Sequence, residues 1–219
     1  MMDERCAVLW DLDGTLVDSE ECHWESWRET LSAEAVPLTH DQFLASFGQR
    51  NDRILHGWLG ENADPERVRR IGDAKEALYR QFVEARGLVA LPGAAEWIAR
   101  LHDDGWRQAI ASSAPRQNVQ VMLRVLGLDR YFEALTAAED VTLGKPDPQV
   151  FLKAASRLGV PASACIVVED ASAGVEAARR AGMRSIGVSR TALLDADLFV
   201  RSLEDLPADA FTRLLQANR

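Results

Sequence analysis

Two carboxylates, Asp11 and Asp13, stand two residues apart directly after a short apolar run of the sequence. Side chains at this spacing point the same way in an extended chain, so both carboxylates can face one site. Gly14 allows the chain to turn away sharply, and Thr15 offers a hydroxyl and an amide at the turn. A simple Asx turn needs only one Asp–Gly pair. The second carboxylate therefore favours chemistry at this position, such as nucleophilic attack or proton transfer.

Three more segments carry residue types that suit phosphate and metal chemistry. Ser112 and Ser113 follow a second apolar run, and hydroxyls and amides beside a helix N-terminus can hold a phosphate. Lys145 stands in a Gly-Lys-Pro-Asp-Pro segment, where the prolines stiffen the chain and fix the position of one cation. Glu169 and Asp170 end another apolar run, and Mg2+ prefers such carboxylates together with water and substrate phosphate. Taken alone, the serines are also typical of a loop and the lysine of a solvated surface.

The elements that must position these residues alternate between strands and helices. Four apolar runs have the length of strands buried on both faces: Cys6–Trp10, Gln108–Ala111, Cys165–Val168 and Ser185–Val188. Between these runs, apolar residues recur at the three- and four-residue spacing of a helix in Ala94–Leu101, Asn118–Leu126, Val150–Leu158 and Ala171–Ala181. This alternation predicts an α/β protein with a Rossmann-like three-layer core, in which helices cover both faces of a mainly parallel sheet. In such sheets ligands collect beyond the carboxyl ends of the strands.

Residues 20 to 90 break this alternation, because they show helical patterns and no convincing strand. The predicted helices are Trp24–Leu31, Asp41–Phe47, Asp52–Leu59 and Pro65–Arg86. Thr39 and Asp64 are suitable N-caps, and Pro65 suits a first helical turn. We therefore expect a discontinuous α/β core, residues 1–16 and 91–219, interrupted after its first strand by an all-helical domain of residues 17–90.

In this order and context the four segments resemble the haloacid dehalogenase superfamily, in particular its phosphatases and the related β-phosphoglucomutases. The resemblance runs over nearly the whole chain, and the helical insertion stands where that group carries a cap domain. The four motifs in this order (D-x-D-G-T, Ser, Lys and Glu-Asp) are highly specific for the superfamily, whereas no single one of them is. The resemblance implies covalent catalysis by an aspartate, with required Mg2+, at the carboxyl edge of the sheet.

Roles for individual residues follow from this resemblance. It implies that Asp11 is the nucleophile and Asp13 the general acid and base, which requires an environment that keeps Asp13 partly protonated near neutrality. It assigns the metal to Asp11, the backbone carbonyl of Asp13 and Asp170, with Glu169 beside it. Lys145 would offset the repulsion between a carboxylate nucleophile and an anionic substrate. Asp13 also argues against carbon–halogen chemistry, because the dehalogenase branch lacks an Asp there.

The phosphoryl group is expected to meet a second set of residues. The resemblance implies that Ser112 and the backbone amides after the nucleophile hold the phosphoryl oxygens, so the predicted phosphate contacts are Gly14, Thr15, Ser112, Ser113 and Lys145. The expected substrate is a small phosphorylated metabolite, such as a sugar phosphate.

The insertion supplies candidate contacts to the rest of the substrate. His23 lies where the first insertion helix should begin, a spacing found in β-phosphoglucomutases and in many phosphatases, and Arg50 could grip a second anionic group. The mutases follow their Ser with a small residue, Ser and Lys, whereas this chain has Ala114 and Pro115 at the last two places, and Arg116 could replace the Lys. This departure favours a phosphatase. A phosphomutase is the alternative, and a non-catalytic ligand-binding regulator is a second one.

Composition narrows the remaining choices. The formal net charge of −9 argues against a nucleic-acid partner, because such binding needs Lys and Arg to neutralise phosphates. No apolar stretch approaches the roughly 20 residues that span a bilayer, and the first residues show no export signal. We therefore expect a cytoplasmic monomer without a membrane partner. Cys6, Cys22 and Cys165 have neither disulfide nor metal-site spacing, and Cys6 and Cys165 are expected to be buried in apolar runs.

Overall fold

The computed structural model describes residues 6–216 of the chain. Its sheet has six strands: β1 Ala7–Trp10, β2 Arg107–Ala111, β3 Ala134–Thr136, β4 Cys165–Glu169, β5 Arg184–Val188 and β6 Leu198–Val200. The strand order is β3-β2-β1-β4-β5-β6 and every neighbouring pair is parallel. The first strand of the sequence is thus an interior strand, paired on both edges. The four predicted strands are confirmed, and the two added ones, β3 and β6, lie at the edges.

Five helices accompany this sheet: α5 Ala94–Asp103, α6 Arg116–Leu126, α7 Gln149–Leu158, α8 Ser172–Arg180 and α9 Ala210–Gln216. Successive residues of β1 point to opposite faces of the sheet. Val8 and Trp10 join a buried cluster with Phe211 of α9, whereas Leu9 joins a second cluster with Phe151 of α7. The two clusters are the two apolar layers on either side of the sheet, so the predicted three-layer α/β architecture is confirmed.

Four helices fill the stretch between β1 and α5: α1 Glu20–Ala33, α2 His40–Ser46, α3 Asn51–Leu59 and α4 Pro65–Arg86. We call residues 20–86 the helical insert. It has its own buried apolar cluster, which includes Trp27, Leu31, Phe43, Leu55 and Ile71. The side chains of the predicted N-caps accept hydrogen bonds as expected, from Gln42 N in the case of Thr39 and from Glu66 N in the case of Asp64.

The two ends of the helical insert leave the core side by side. Val17 forms an antiparallel bridge with Ala90, and Leu91 N donates to Leu16 O over 2.8 Å. Farther along, Tyr79 of α4 donates its hydroxyl hydrogen to Met122 Sδ of α6 over 3.2 Å. The helical insert is therefore joined to the core by one paired connection and by packing of α4 on α6.

The remaining expectations concern cysteines and membranes. Cys22 and Cys165 are buried and Cys6 is half-buried. Burial raises the pKa of Cys165 to about 12, which keeps this thiol protonated and unreactive at neutral pH. Within residues 6–216, no helix has the length and apolar character needed to cross a bilayer.

Candidate active site

Three adjacent strands bring the predicted segments to one edge of the sheet. Asp11 follows β1 directly, Ser112 follows β2, and Glu169 is the last residue of β4. The register aligns Trp10, which precedes Asp11, with Ile110 of β2 and Val168 of β4. Because all three strands are parallel, these side chains gather at the same carboxyl edge, as in other open α/β sheets.

Lys145 occupies the centre of this edge. Its Nζ donates to Asp11 Oδ1 and to Glu169 Oε1, each over 2.5 Å, and it lies 5.1 Å from the centre of the Phe151 ring. Burial disfavours the charge on Lys145, yet the attraction of Asp11 and Glu169 outweighs it and raises the Lys145 pKa above its usual value. This ammonium is therefore permanently charged at neutral pH.

Asp11, Glu169 and Asp170 form a cluster of carboxylates in which one oxygen from each lies within 4.8 Å of the others. Burial raises the pKa of Asp11 to about 7, against the pull of Lys145. Burial and the neighbouring charge of Glu169 raise the pKa of Asp170 to about 9. One ammonium thus faces three carboxylates. Such an excess of buried negative charge fits a hard divalent cation, and Mg2+ is the cation that favours this donor set.

Two glycines make room for these carboxylates. A Cβ on Gly174 would lie 1.9 Å from the carboxyl carbon of Glu169, and a Cβ on Gly14 would lie 2.1 Å from Asp170 Oδ2. Gly14 also has φ of 79°, a left-handed conformation that L-residues with side chains rarely adopt. The close backbone approach at both positions lets the carboxylates turn inward toward Asp11.

Asp13 lies in an environment that favours its carboxylate form. His23 Nε2 lies 3.3 Å from Asp13 Oδ1, and Ser19 Oγ donates to the same oxygen. Burial opposes ionisation of Asp13, but the hydrogen bonds from His23 and Ser19 outweigh it and lower the Asp13 pKa. The mechanism implied by the resemblance requires a partly protonated Asp13 near neutrality, whereas in this arrangement two donors stabilise its carboxylate form.

A buried ionic network behind His23 was missed by the sequence analysis. Lys75 Nζ lies 2.8 Å from His23 Nδ1 and 2.9 Å from Glu76 Oε1. Glu76 also accepts from Asn51 Nδ2 over 2.6 Å and from Asn118 Nδ2 of α6. Lys75 is 1% exposed and Glu76 is 6% exposed. The network connects Asp13, through the helical insert, to the first turn of a core helix.

The sequence did contain one signal for this network. Buried residues of α4 recur at positions 68, 71, 75, 79 and 83, the three- and four-residue spacing of one helix face. Lys75 interrupts that otherwise apolar stripe, between Ile71 and Tyr79. A charged residue at a core-facing position is rarely buried without a partner, so the break in the pattern indicated a buried ion pair.

A cavity of about 1250 Å3 lies between the helical insert and the carboxyl edge of the sheet. The core lines it with residues that include Asp11, Asp13, Ser112, Ser113, Lys145, Glu169 and Asp170, and the insert adds His23, Arg50 and Lys75. Ten predicted or newly found site residues are thus brought to one space. Ser112 is fixed there by its Oγ, which accepts from Ala114 N over 3.0 Å.

Three predicted contacts lie elsewhere. Gly14 and Thr15 are absent from the cavity lining; Gly14 N donates to Val17 O over 2.9 Å, and Thr15 is fully buried. The Arg116 guanidinium pairs with Asp140 instead of lining the cavity. The structure therefore does not bring these three residues to the cavity. The turn uses the Gly14 amide and an ion pair uses the Arg116 guanidinium, whereas Thr15 Oγ1 is buried without a hydrogen-bond partner among the described residues.

Comparisons with known proteins identify relatives of this chain. The sequence pattern of the haloacid dehalogenase-like hydrolases matches residues 7–182. The chain is 30% identical over 208 residues to the β-phosphoglucomutase of Bacillus subtilis (strain 168), covering 91% of both proteins. It is 31% identical over 192 residues to the fructose-1-phosphate phosphatase YqaB of Escherichia coli (strain K12), covering 86% of this chain and 98% of that protein.

Solved structures and longer relatives extend the comparison. The crystal structure of CbbY from Rhodobacter sphaeroides in complex with phosphate aligns with a TM-score of 0.86 at 26% identity, covering 95% of this chain and 99% of that one. One relative is much longer: the chain spans 18% of SUPPRESSOR OF QUENCHING 1, chloroplastic, of Arabidopsis thaliana, to which it is 34% identical. The family pattern covers well over half of the sequence and includes every strand up to β4. The chain belongs to the haloacid dehalogenase-like hydrolase family.

Proposed function

We propose that this protein is a Mg2+-dependent phosphatase that hydrolyses a small phosphorylated metabolite, such as a sugar phosphate, through an aspartyl phosphate on Asp11. One observation carries the proposal: Lys145 holds Asp11 from one side while Glu169 and Asp170 place further carboxylates beside it. The arrangement combines a nucleophile, a fixed cation and a metal-binding donor set. The likeness to a fructose-1-phosphate phosphatase supports the sugar phosphate class.

Charge explains why the nucleophile needs this setting. A carboxylate and each negative charge of a phosphomonoester, about 4 Å apart, repel by roughly 1 kcal/mol in water and about 4 kcal/mol at an effective dielectric constant near 20. Lys145 offsets part of that repulsion from its position 2.5 Å from Asp11. Mg2+, held by Asp11, Asp170 and the Asp13 carbonyl with Glu169 beside it, would supply two further positive charges at the phosphoryl oxygens.

The reaction has two steps. In the first, an Asp11 oxygen forms a bond to phosphorus, the bond from phosphorus to the leaving oxygen breaks, and Asp13 gives its proton to that oxygen. In the second, water attacks the phosphorus of the aspartyl phosphate, Asp13 takes the water's proton, and Asp11 and inorganic phosphate are released. The lowered Asp13 pKa suits the second step. A bound phosphate dianion nearby raises that pKa and favours the protonated form for the first step.

The helical insert has the position of a cap in this proposal. Residues 17–90 form the cap domain, and residues 1–16 and 91–219 form the catalytic core. The insert contributes His23 and Arg50 to the cavity lining, so it covers the reacting groups, excludes water other than the nucleophile, and contacts the leaving group.

Turnover of para-nitrophenyl phosphate tests the proposal. The wild-type protein should hydrolyse it only when Mg2+ is present, and Asp11→Asn should abolish turnover while leaving the thermal melting curve cooperative. Equal activity of the two proteins would refute Asp11 as the nucleophile. Inactivity of the wild type across a broad panel of phosphorylated metabolites would refute the enzyme assignment and favour a ligand-binding regulator.

A phosphomutase is the second candidate, favoured by the 30% identity to β-phosphoglucomutase over 91% of the chain. It shares the first step, but a hydroxyl of the bound product accepts the phosphoryl group in place of water. Incubation with a hexose 1-phosphate and a trace of the bisphosphate, followed by assays of both free phosphate and the isomeric hexose phosphate, separates the two. Isomer without phosphate release would refute the phosphatase.

A further inference from the structure

The N-terminus of α6 opens into the cavity, and the chain itself already places an anion there. Arg116 N, the first amide of the helix, donates to both carboxylate oxygens of Glu139, over 3.1 and 3.0 Å. Helix N-termini attract anions because their amides and dipole are positive. Glu139 also lines the cavity that contains Asp11. A carboxylate of the protein thus occupies the place where an anionic group of a substrate would otherwise dock.

The charge of Glu139 is not balanced by a nearby side-chain cation. Within residues 6–216, no Lys, Arg or His lies within ion-pair distance of it. Two arginines of neighbouring segments have other partners. Arg116 pairs with Asp140, and Arg50 Nη1 donates to the carbonyl oxygens of Ala138 and Val141, over 3.3 and 3.1 Å. At this end of the cavity Glu139 therefore presents to a ligand a carboxylate that has no ion-pair partner among the described residues.

The segment that carries Glu139 is held firmly. We call residues 138–143 the distal wall. Arg157 Nη2 donates to Asp140 Oδ1 over 2.7 Å, and Lys153 Nζ donates to Asp140 O over 2.8 Å. Gln149 Oε1 accepts from both the amide and the hydroxyl of Thr142, over 3.1 and 3.0 Å. Four contacts from α7 thus fix the backbone of the distal wall, and Arg116 N holds the Glu139 carboxylate itself.

The distal wall lies at some distance from the nucleophile. It follows β3, and two strand spacings separate β3 from β1 in the sheet order. Neighbouring strands are about 4.8 Å apart, which gives a lateral separation of roughly 10 Å. That separation is comparable with the distance between the two ends of a sugar. A substrate phosphorylated at both ends would bring its second phosphate toward Glu139 while the first lies at Asp11.

We infer that Glu139 is a specificity-determining residue that rejects a second phosphoryl group, so that the enzyme selects monophosphates of neutral polyhydroxyl compounds. The inference rests on the proposed phosphatase function and deepens it. A protein can discriminate between two ligands by placing a charge that repels the unwanted one. A mutase must hold a bisphosphate intermediate in the same cavity, and a fixed carboxylate at its far end opposes that requirement.

Competition experiments with Glu139→Gln test the inference. Glutamine keeps an oxygen that can accept from Arg116 N, so only the charge is removed. With para-nitrophenyl phosphate as substrate, the inhibition constants of fructose 1-phosphate and fructose 1,6-bisphosphate are measured for both proteins. The ratio of the two constants should shift by about tenfold toward the bisphosphate in the variant, which corresponds to about 1.4 kcal/mol.

A matched variant separates local charge from net charge. Glu96 of α5 is exposed and lies outside the cavity lining, so Glu96→Gln makes the same charge change elsewhere and should leave the ratio unchanged. A ratio that stays constant in Glu139→Gln, or that shifts equally in both variants, would overturn the inference. Absence of para-nitrophenyl phosphate turnover in the wild type would instead refute the proposed function.

Discussion

Lys75 Nζ lies 2.8 Å from His23 Nδ1, and this contact fixes which nitrogen of His23 carries hydrogen. An ammonium group can only donate, so Nδ1 must accept, and the hydrogen of the neutral ring is on Nε2. Nε2 lies 3.3 Å from Asp13 Oδ1. Burial and the neighbouring charge of Lys75 lower the His23 pKa, which keeps the ring neutral. Lys75 therefore makes His23 a hydrogen-bond donor to the proposed acid–base residue.

Replacement of His23 should change the pH dependence of turnover. His23→Leu removes a donor that stabilises the Asp13 carboxylate, so the Asp13 pKa rises. The step in which Asp13 acts as a base needs the carboxylate, and the acidic limb of the kcat profile should move to higher pH.

The measurement is kcat for para-nitrophenyl phosphate across a series of buffers. His102 of α5 is exposed and outside the cavity, so His102→Leu is the matched control and should leave the profile in place. An unmoved acidic limb in His23→Leu would show that His23 does not set the protonation of Asp13.

The buried pair of Lys75 and Glu76 should behave as a unit in unfolding experiments. Lys75→Met leaves Glu76 buried without its cation, and the loss of one partner from a buried ion pair costs about 3 kcal/mol or more. Lys75→Met combined with Glu76→Gln removes both charges and should recover most of that loss. Urea unfolding of the wild type and the variants gives the free energies. Equal destabilisation in the single and double variants would contradict the coupling.

Gly174 should prove necessary for the carboxylate cluster. A Cβ at this position would lie 1.9 Å from the Glu169 carboxyl carbon, so Gly174→Ala pushes Glu169 away from Lys145 and Asp170. Changes to groups that orient metal ligands typically cost about 10- to 100-fold in affinity or activity. We expect the Mg2+ concentration for half-maximal activity to rise by about tenfold.

Gly57 provides the control for this substitution. It lies in helix α3, and a Cβ there would meet nothing within 4 Å. Gly57→Ala should therefore leave the Mg2+ dependence unchanged and stabilise the helix by about 0.5–1 kcal/mol. An unchanged Mg2+ requirement in Gly174→Ala would mean that the position of Glu169 is unimportant for the metal.

Mg2+ should stabilise the folded protein in the absence of substrate. The clustered carboxylates of Asp11, Glu169 and Asp170 repel one another, and a ligand at 100 times its dissociation constant adds about 2.7 kcal/mol of stability. Thermal melting with and without excess MgCl2 measures this shift. Asp170→Asn should lose it, whereas Asp195→Asn, at a side chain that is 96% exposed, should keep it. A shift of full size in Asp170→Asn would contradict the assigned metal ligands.

Much of the fold follows from local sequence patterns, and the exceptions have physical reasons. The bounds of α4 were predicted as observed, because Asp64 and Pro65 mark its start and Gly87 its end. The strands β3 and β6 have three residues each, too few to show a period. Their position is set by hydrogen bonds to neighbouring strands, which no local pattern reports.

The site, like the fold, has features that the sequence predicts and features that it does not. Asp11, Lys145 and Asp170 were predicted because each lies in a segment with a recognisable residue order. The protonation of Asp13 could not be predicted, because it depends on Ser19 and His23, whose positions relative to Asp13 are set by the fold. Electrostatic environment is a property of three-dimensional distance, and a sequence pattern gives residue types without those distances.

The place of β1 in the sheet also determines when this site can form during synthesis. Ala7 pairs with Arg107 on one side and with Cys165 on the other. The strand that presents Asp11 can therefore be paired on both edges only after both partner strands have been synthesised. Ribosomes add roughly 5–20 residues per second, and the second partner therefore appears on the order of 10 s after the first strand. The helical insert, whose apolar cluster is contiguous in sequence, is complete well before that. A nascent chain that ends before Cys165 thus contains the whole insert but no assembled catalytic edge.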